Sequence, residues 1–254
     1  MSEYDQVWSP RAYLAQYYAG RVTEDEKGIS RFVREFLSSP NAHFKEMVEV
    51  GCGPTIHHAA LFASHVDRIY MADYMESNLE EVKRWVGDVP DAHDWNRYLA
   101  EVLERENGEV PTPAQVADMA QIVRSRISGF FKCDILAEAP LGGLGKTFDL
   151  VASFYTLECV SRTKAAWKQA MRNLSSLVTP SGWVVLSVLR NAHHYRVKDL
   201  VFSTAHINEA DMRSALTSLG FIPETIDVEV CICSDMAGQG FDSIVLARAQ
   251  KGKW

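Results

Sequence analysis

Val48-Glu49-Val50-Gly51-Cys52-Gly53-Pro54-Thr55-Ile56 is the stretch that decides the fold. A short apolar run (Met47, Val48, Val50) carries a single acid, Glu49, and then breaks at Gly51-Cys52-Gly53. A helix is expected to start from Pro54. Two glycines let the backbone turn sharply and lie against a ligand with no Cβ in the way. Strand, glycine turn and helix start make the nucleotide-binding corner of a doubly wound α/β sheet. Roughly twenty residues on, a second apolar run, Arg68 to Ala72, ends in Asp73, where such folds put the acid that accepts ribose hydroxyls.

The turn reads Gly51-Cys52-Gly53-Pro54-Thr55-Ile56, so the third glycine of a pyrophosphate-binding G-x-G-x-x-G is missing. Pro54 also removes one N–H that a phosphate would use. A turn with no phosphate to hold, preceded by an acid, suits S-adenosylmethionine better than a nicotinamide cofactor. The methyl donor carries an ammonium and a carboxylate at its amino acid end and no phosphate.

Outward from that corner, apolar runs alternate with helical patterns, as in a parallel sheet covered by helices. Strands are expected at 47–50, 68–72, 129–132, 150–154 and 183–189, with two more near 223–233 and 243–249. Helices are expected at 10–18, 25–38, 55–64, 76–86, 163–178 and 208–219. The last two strands form an antiparallel pair joined through 235–240. The whole is an α/β, Rossmann-like class I methyltransferase layout of seven mostly parallel strands with helices on both faces, in one domain over 1–254. About fifty-five residues separate Asp73 from the third strand, more than one crossover helix needs. Helical patterns at 94–106 and 113–127 fill that gap, so 87–127 reads as an insertion. Either it caps the substrate pocket or it is structural padding. Residues 1–40 form a helical N-terminal segment: Ser9-Pro10 starts a helix, and Tyr13 and Tyr17 share a face of it. On spacing alone that face is a core stripe or a lid over an aromatic or cationic ligand.

The chain has 254 residues and a formal net charge of -7, which argues against an electrostatic grip on nucleic acid or anionic lipid. There is no apolar stretch of membrane-spanning length, and the polar start Met1 to Asp5 does not read as a signal peptide. Five scattered cysteines suggest a reducing compartment, hence a cytoplasmic protein. Cys231 and Cys233 read as buried thiols. His57-His58 and His193-His194 are adjacent pairs expected to splay apart, and no metal site is expected.

Taken together, the segments resemble the small-molecule N-methyltransferases that act on nicotinamide, phenylethanolamine and indolethylamine (thioether). Ser9-Pro10-Arg11-Ala12-Tyr13-Leu14-Ala15-Gln16-Tyr17-Tyr18 is similar to that family's N-P-R-x-Y-L-x-x-Y-Y lid. Gly51 to Ile56 resembles its G-S-G-P-T-I turn, and Asp73-Tyr74-Met75-Glu76-Ser77-Asn78-Leu79 its D-Y-x-x-x-N-L. Asp94-Trp95 matches a further family marker. The resemblance implies that Gly51, Gly53 and Thr55 line the methionine end of the cofactor, with Tyr13 and Tyr18 closing over it. It implies that Asp73 and Asn78 hold the ribose hydroxyls, that Tyr74 packs on the adenine, and that Asp134 and Ile135 meet the adenine edge. A helix-capping aspartate is the plain alternative for Asp134.

Methyl transfer is an in-line displacement, so the enzyme must align a neutral nucleophile with the methyl carbon. An amine needs its lone pair free, and a nearby acid orients it or takes its proton. The resemblance puts Glu158 in that role, with Tyr13 beside it and Tyr17, Tyr155 and Tyr195 among the substrate contacts; a carboxylate on a solvated loop is the alternative. Where the relatives carry an acid after the fifth strand, this chain has Val188. A less polar or differently oriented amine is therefore expected, and Arg190 either meets a substrate carboxylate or is solvated. The function expected is N-methylation of a small amine or N-heterocycle by a monomer. Alternatives are oxygen or sulfur as acceptor, a non-catalytic S-adenosylmethionine or S-adenosylhomocysteine binder and, more distantly, a nicotinamide-dependent oxidoreductase.

Overall fold

A computed structural model describes residues 7–39 and 42–253; the expectations for Met1 to Asp5 and for the ends of the 1–40 segment lie outside them. Five strands, β1 (Phe44–Val50), β2 (Val66–Asp73), β3 (Ile127–Lys132), β4 (Phe148–Phe154) and β5 (Val178–Leu189), run parallel in the order β3-β2-β1-β4-β5. β9 (Ser243–Gln250) adds antiparallel beside β5, and β8 (Asp227–Ile232) pairs antiparallel outside it. The strand order reverses between β1 and β4. Their carboxyl ends therefore flank the crevice where open α/β sheets take ligands.

Alternation along each strand feeds two cores. On one face Met47, Ile69, Leu150, Val185 and Leu246 pack with α2 (Glu24–Leu37), α3 (His57–Phe62), α4 (Glu76–Val86), α5 (Asn96–Asn107) and α6 (Pro113–Arg126). On the other, Val48, Val151, Val184 and Val188 pack with α7 (Lys164–Ser176) and α8 (Glu209–Ser218). α1 (Pro10–Tyr17) starts as its sequence predicts: the Ser9 hydroxyl accepts from the Ala12 N–H, and Pro10 takes the first position.

Two expectations are corrected, and one element is new. The helix after the glycine turn begins at His57, not Pro54, because residues 51–56 stay in a turn closed by Thr55 Oγ1 donating to the Cys52 carbonyl at 2.8 Å. No residue of the 87–127 insertion lines the pocket: α5 packs on α2 and α3, and α6 packs on β2 and β3. A hairpin not foreseen, β6 (His194–Val197) with β7 (Leu200–Ser203), stands beside α1. Tyr17 Oη and Gln16 Nε2 both donate to the Arg196 carbonyl, fastening α1 to it.

Candidate active site

A cavity of about 380 Å³ opens at the carboxyl ends of β1, β4 and β5, within the range of small-molecule sites. Gly51, Gly53, Thr55, Asp73, Tyr74, Asn78, Asp134 and Ile135 line it, together with Tyr13, Tyr17 and Tyr18 from the lid helix, Tyr155 after β4 and Tyr195 from the hairpin. The tyrosine face of α1 is thus turned to the cavity. Tyr13 and Tyr17 rings lie 5.0 Å apart, and Tyr13 and Tyr18 hydroxyls 3.4 Å apart.

The turn's N–H groups are already spoken for. Gly51 N and Cys52 N donate to the Ala72 carbonyl at 2.7 and 3.1 Å, Gly53 N to Asp73 Oδ2 at 2.8 Å, and Thr55 N to the Cys52 carbonyl at 3.4 Å. Pro54 has none to give. None of these four N–H groups is free for a pyrophosphate, so the glycine turn fits a phosphate-free ligand. Gly51 and Gly53 take φ of 71° and 59°, and a Cβ on Gly51 would stand 2.2 Å from the Thr156 side chain. Asp73 also accepts from Met75 N at 2.8 Å and Asn78 Nδ2 at 3.0 Å, which leaves about one acceptor position for a hydroxyl. Burial pushes its pKa up against those three donors. Asp134 Oδ1 accepts from Leu136 N at 3.0 Å, a local turn rather than a helix cap, and the residue still faces the cavity.

Two substrate expectations are corrected. Val188 points away from the cavity into the core under α7 and α8, and Leu189 takes the cavity wall instead. Glu158 is fully buried and does not line the cavity. Its Oε1 accepts the Leu189 N–H at 2.8 Å, tying the end of β4 to the end of β5. Burial pushes its pKa up to about 7. Arg190 makes a two-pronged ion pair with Glu209 at 2.8 and 3.0 Å, outside the cavity.

Two further acids that reach the cavity were not singled out from the sequence: Asp25 and Glu26, in the first turn of α2. Helices often carry acids there, which hid them. Tyr155 Oη donates to Asp25 Oδ2 at 2.9 Å, and Tyr155 itself holds a strained φ of 55°. His57 and His58 do not splay apart. Their rings lie 3.9 Å apart, and both Nε2 atoms meet Glu26 Oε2, at 3.1 and 3.0 Å. One nitrogen or oxygen atom from each member of this triad lies within 4.8 Å of the others, so the two histidines share one centre, contrary to the expectation from their adjacency. Burial pushes Glu26 up, but the two imidazoles outweigh it and hold the carboxyl well below its ordinary range. Burial likewise lowers His58, yet Glu26 and Glu49 carry it up to about 9, while His57 falls to about 4 through burial and its charged neighbour.

The insertion supports this site from behind. Trp95 and Tyr98, both buried, pack on Tyr18 at 5.3 and 5.6 Å, and Trp95 stacks on His57 at 5.0 Å.

Among the described residues, no helix is long and apolar enough to cross a membrane. Human nicotinamide N-methyltransferase is 25% identical over 87% of this chain and 84% of its own length. Rat phenylethanolamine N-methyltransferase is 26% identical over 97% and 88%. Among solved structures, the magnesium protoporphyrin IX methyltransferase ChlM of Synechocystis with bound SAM superposes with a TM-score of 0.57 at 15% identity, covering 98% of this chain and 94% of that one. The N-methyltransferase NodS of Bradyrhizobium japonicum with S-adenosylhomocysteine gives 0.53 at 16%, covering 94% and 98%. These likenesses show the class I methyltransferase fold. The family model described as "NNMT/PNMT/TEMT family" matches residues 1–251, and the chain is a member of that family of S-adenosylmethionine-dependent methyltransferases.

Proposed function

We propose that this chain is an N-methyltransferase that moves a methyl group to the nitrogen of a small amine or N-heterocycle. The observation that carries the reading is one cavity shared by a phosphate-free glycine turn, a ribose-type acid and a lid of tyrosines. Gly51, Gly53 and Thr55 would hold the methionine end under Tyr13 and Tyr18; Asp73 and Asn78 would hold the ribose hydroxyls. Tyr74 would lie on the adenine, and Asp134 with Ile135 would meet its edge. S-adenosylmethionine supplies an electrophilic methyl carbon. The protein supplies alignment and a water-poor aromatic enclosure, which convert a bimolecular step into an oriented one. Tyr17, Tyr155 and Tyr195 would position the acceptor. Glu158 would act as a positioning residue through the Leu189 N–H.

The reading includes activity as a monomer, with 1–40 as lid and 87–127 as its buttress within one domain. Five free thiols support a reducing, cytoplasmic setting, and the net charge of -7 supports a small-molecule rather than a nucleic-acid substrate. The test is release of S-adenosylhomocysteine with S-adenosylmethionine and a panel of amines, pyridines, phenols and thiols, with products identified by mass. Nitrogen-methylated product is expected. Turnover of oxygen or sulfur acceptors alone would refute the reading.

A further inference from the structure

The cavity holds one acid whose second oxygen has no assigned work. Asp25 is 3% exposed, lines the cavity and accepts the Tyr155 hydroxyl at Oδ2; the Thr23 hydroxyl and the Glu26 N–H lie near its carboxyl, but Oδ1 is buried with no partner in hydrogen-bonding geometry. A buried acceptor left unmade costs about 1–3 kcal/mol, more for a charged group. No Lys or Arg stands among the described residues lining the cavity, so the protein provides no guanidinium or ammonium to meet it. The other acids there are engaged: Glu26 by two histidines, Asp73 by three donors, Asp134 by its own turn. The cavity's apolar lining includes Phe154, Val160, Leu189, Met236 and Phe241.

Resting on the proposed function, we propose that Asp25 and Tyr155 form the acceptor's amine subsite, and that the acceptor is an amine with at least one N–H on a compact apolar body. The N–H donates to Oδ1 and completes the carboxylate. A pyridine-type nitrogen has no N–H at the reacting atom and would leave Oδ1 orphaned. In the transfer, the nitrogen lone pair forms the new N–CH₃ bond as the S–CH₃ bond breaks with its pair staying on sulfur. The proton shed by nitrogen passes to Asp25 and on to solvent. Asp25 is held at the amino end of α2, which favours its anion, and burial works against that, lifting it to about 6. The titratable groups facing it are Glu26 on its own helix, Tyr17 on α1, Tyr98 on α5, Tyr155, and Cys231 and Cys233 around the end of β8. All but Glu26 have raised pKa values and are uncharged at neutral pH.

The experiment measures binding to the protein loaded with S-adenosylhomocysteine, by calorimetry, for benzylamine, N-methylbenzylamine, piperidine and 3-methylpyridine. Wild type should bind the three amines at least tenfold more tightly than the pyridine, with affinity rising as pH climbs through about 6. Asp25→Asn should lose at least tenfold for the amines and lose that pH dependence, with S-adenosylhomocysteine affinity within threefold of wild type. Tyr155→Phe should show a smaller loss of the same kind. Amines bound no better than the pyridine, or unchanged in Asp25→Asn, would overturn the subsite while leaving the cofactor reading intact. Failure of wild type to bind S-adenosylhomocysteine would instead overturn the function on which it rests.

Discussion

Gly51→Ala tests the turn at its tightest point. The added Cβ would sit 2.2 Å from both Oγ1 and Cγ2 of Thr156 and 2.6 Å from its Cβ, far inside contact distance. It would also have to adopt φ of 71°, which costs an L-residue about 1–2 kcal/mol. Forcing a methyl into a packed site costs about 1–3 kcal/mol more. The sum, about 2–5 kcal/mol, should lower the melting temperature by about 4–20 °C in a chain of this size. Because Thr156 Oγ1 also donates to the Gly51 carbonyl at 3.0 Å, relief of the clash should move the ligand-binding edge as well. S-adenosylhomocysteine affinity should therefore fall at least tenfold. Urea melts and titration calorimetry read the two effects. Thr156→Ala removes the two closest atoms, so the double variant should be less destabilised than the sum of the singles. A single variant within about 1 kcal/mol of wild type that binds S-adenosylhomocysteine normally would refute the reasoning.

Other outcomes follow from the buried charges and the lid. His58, raised to about 9, contributes stability that is present below about pH 6.5 and lost as pH rises through 9; His58→Gln should flatten that loss in urea melts across pH 6 to 10. Glu158, raised to about 7, is a carboxyl whose proton the fold retains, so its contribution is full below about pH 4.5 and lost as pH rises through 7. Glu158→Gln should therefore be at least as stable as wild type at pH 8, and a marked destabilisation there would contradict the burial argument. Tyr17→Phe removes the bond to the Arg196 carbonyl and should cost about 0.5–1.5 kcal/mol of lid docking, seen as faster proteolysis within α1 without S-adenosylhomocysteine.

The turn, the acid after β2 and the two-faced sheet were legible because each depends on local spacing: glycines where the chain must turn, apolar runs where strands are covered on both sides. The tyrosine face of α1 was legible as a face, and only resemblance said what it faced. What failed was parity and partnership. Val188 and Leu189 are adjacent on a strand, so one step decides which enters the cavity, and no clear alternation in this mostly apolar strand marks it. Glu158 sits at the right place in the chain but bonds backwards to Leu189 N instead of forwards into the cavity. Neighbours on a helix are expected to point apart, yet the rings of His57 and His58 converge on a single carboxylate oxygen from α2, a contact 32 residues away in sequence for His58. The hairpin at 194–203 was missed because its strands are four residues long; alternation in His194-Tyr195-Arg196-Val197 was the available signal.

Asn78 joins two tasks through its two ends. Its Oδ1 accepts the Trp8 indole N–H at 2.7 Å, and its Nδ2 donates to Asp73, which in turn holds Gly53 N. A ligand hydroxyl that draws on Asp73 or Asn78 thereby tugs at the segment leading into α1. Ligand entry and helix docking become linked equilibria, and linkage is reciprocal: whatever loosens α1 weakens the ligand by the same factor. The Trp8–Asn78 bond thus makes the docking of α1 part of the ligand's own binding equilibrium.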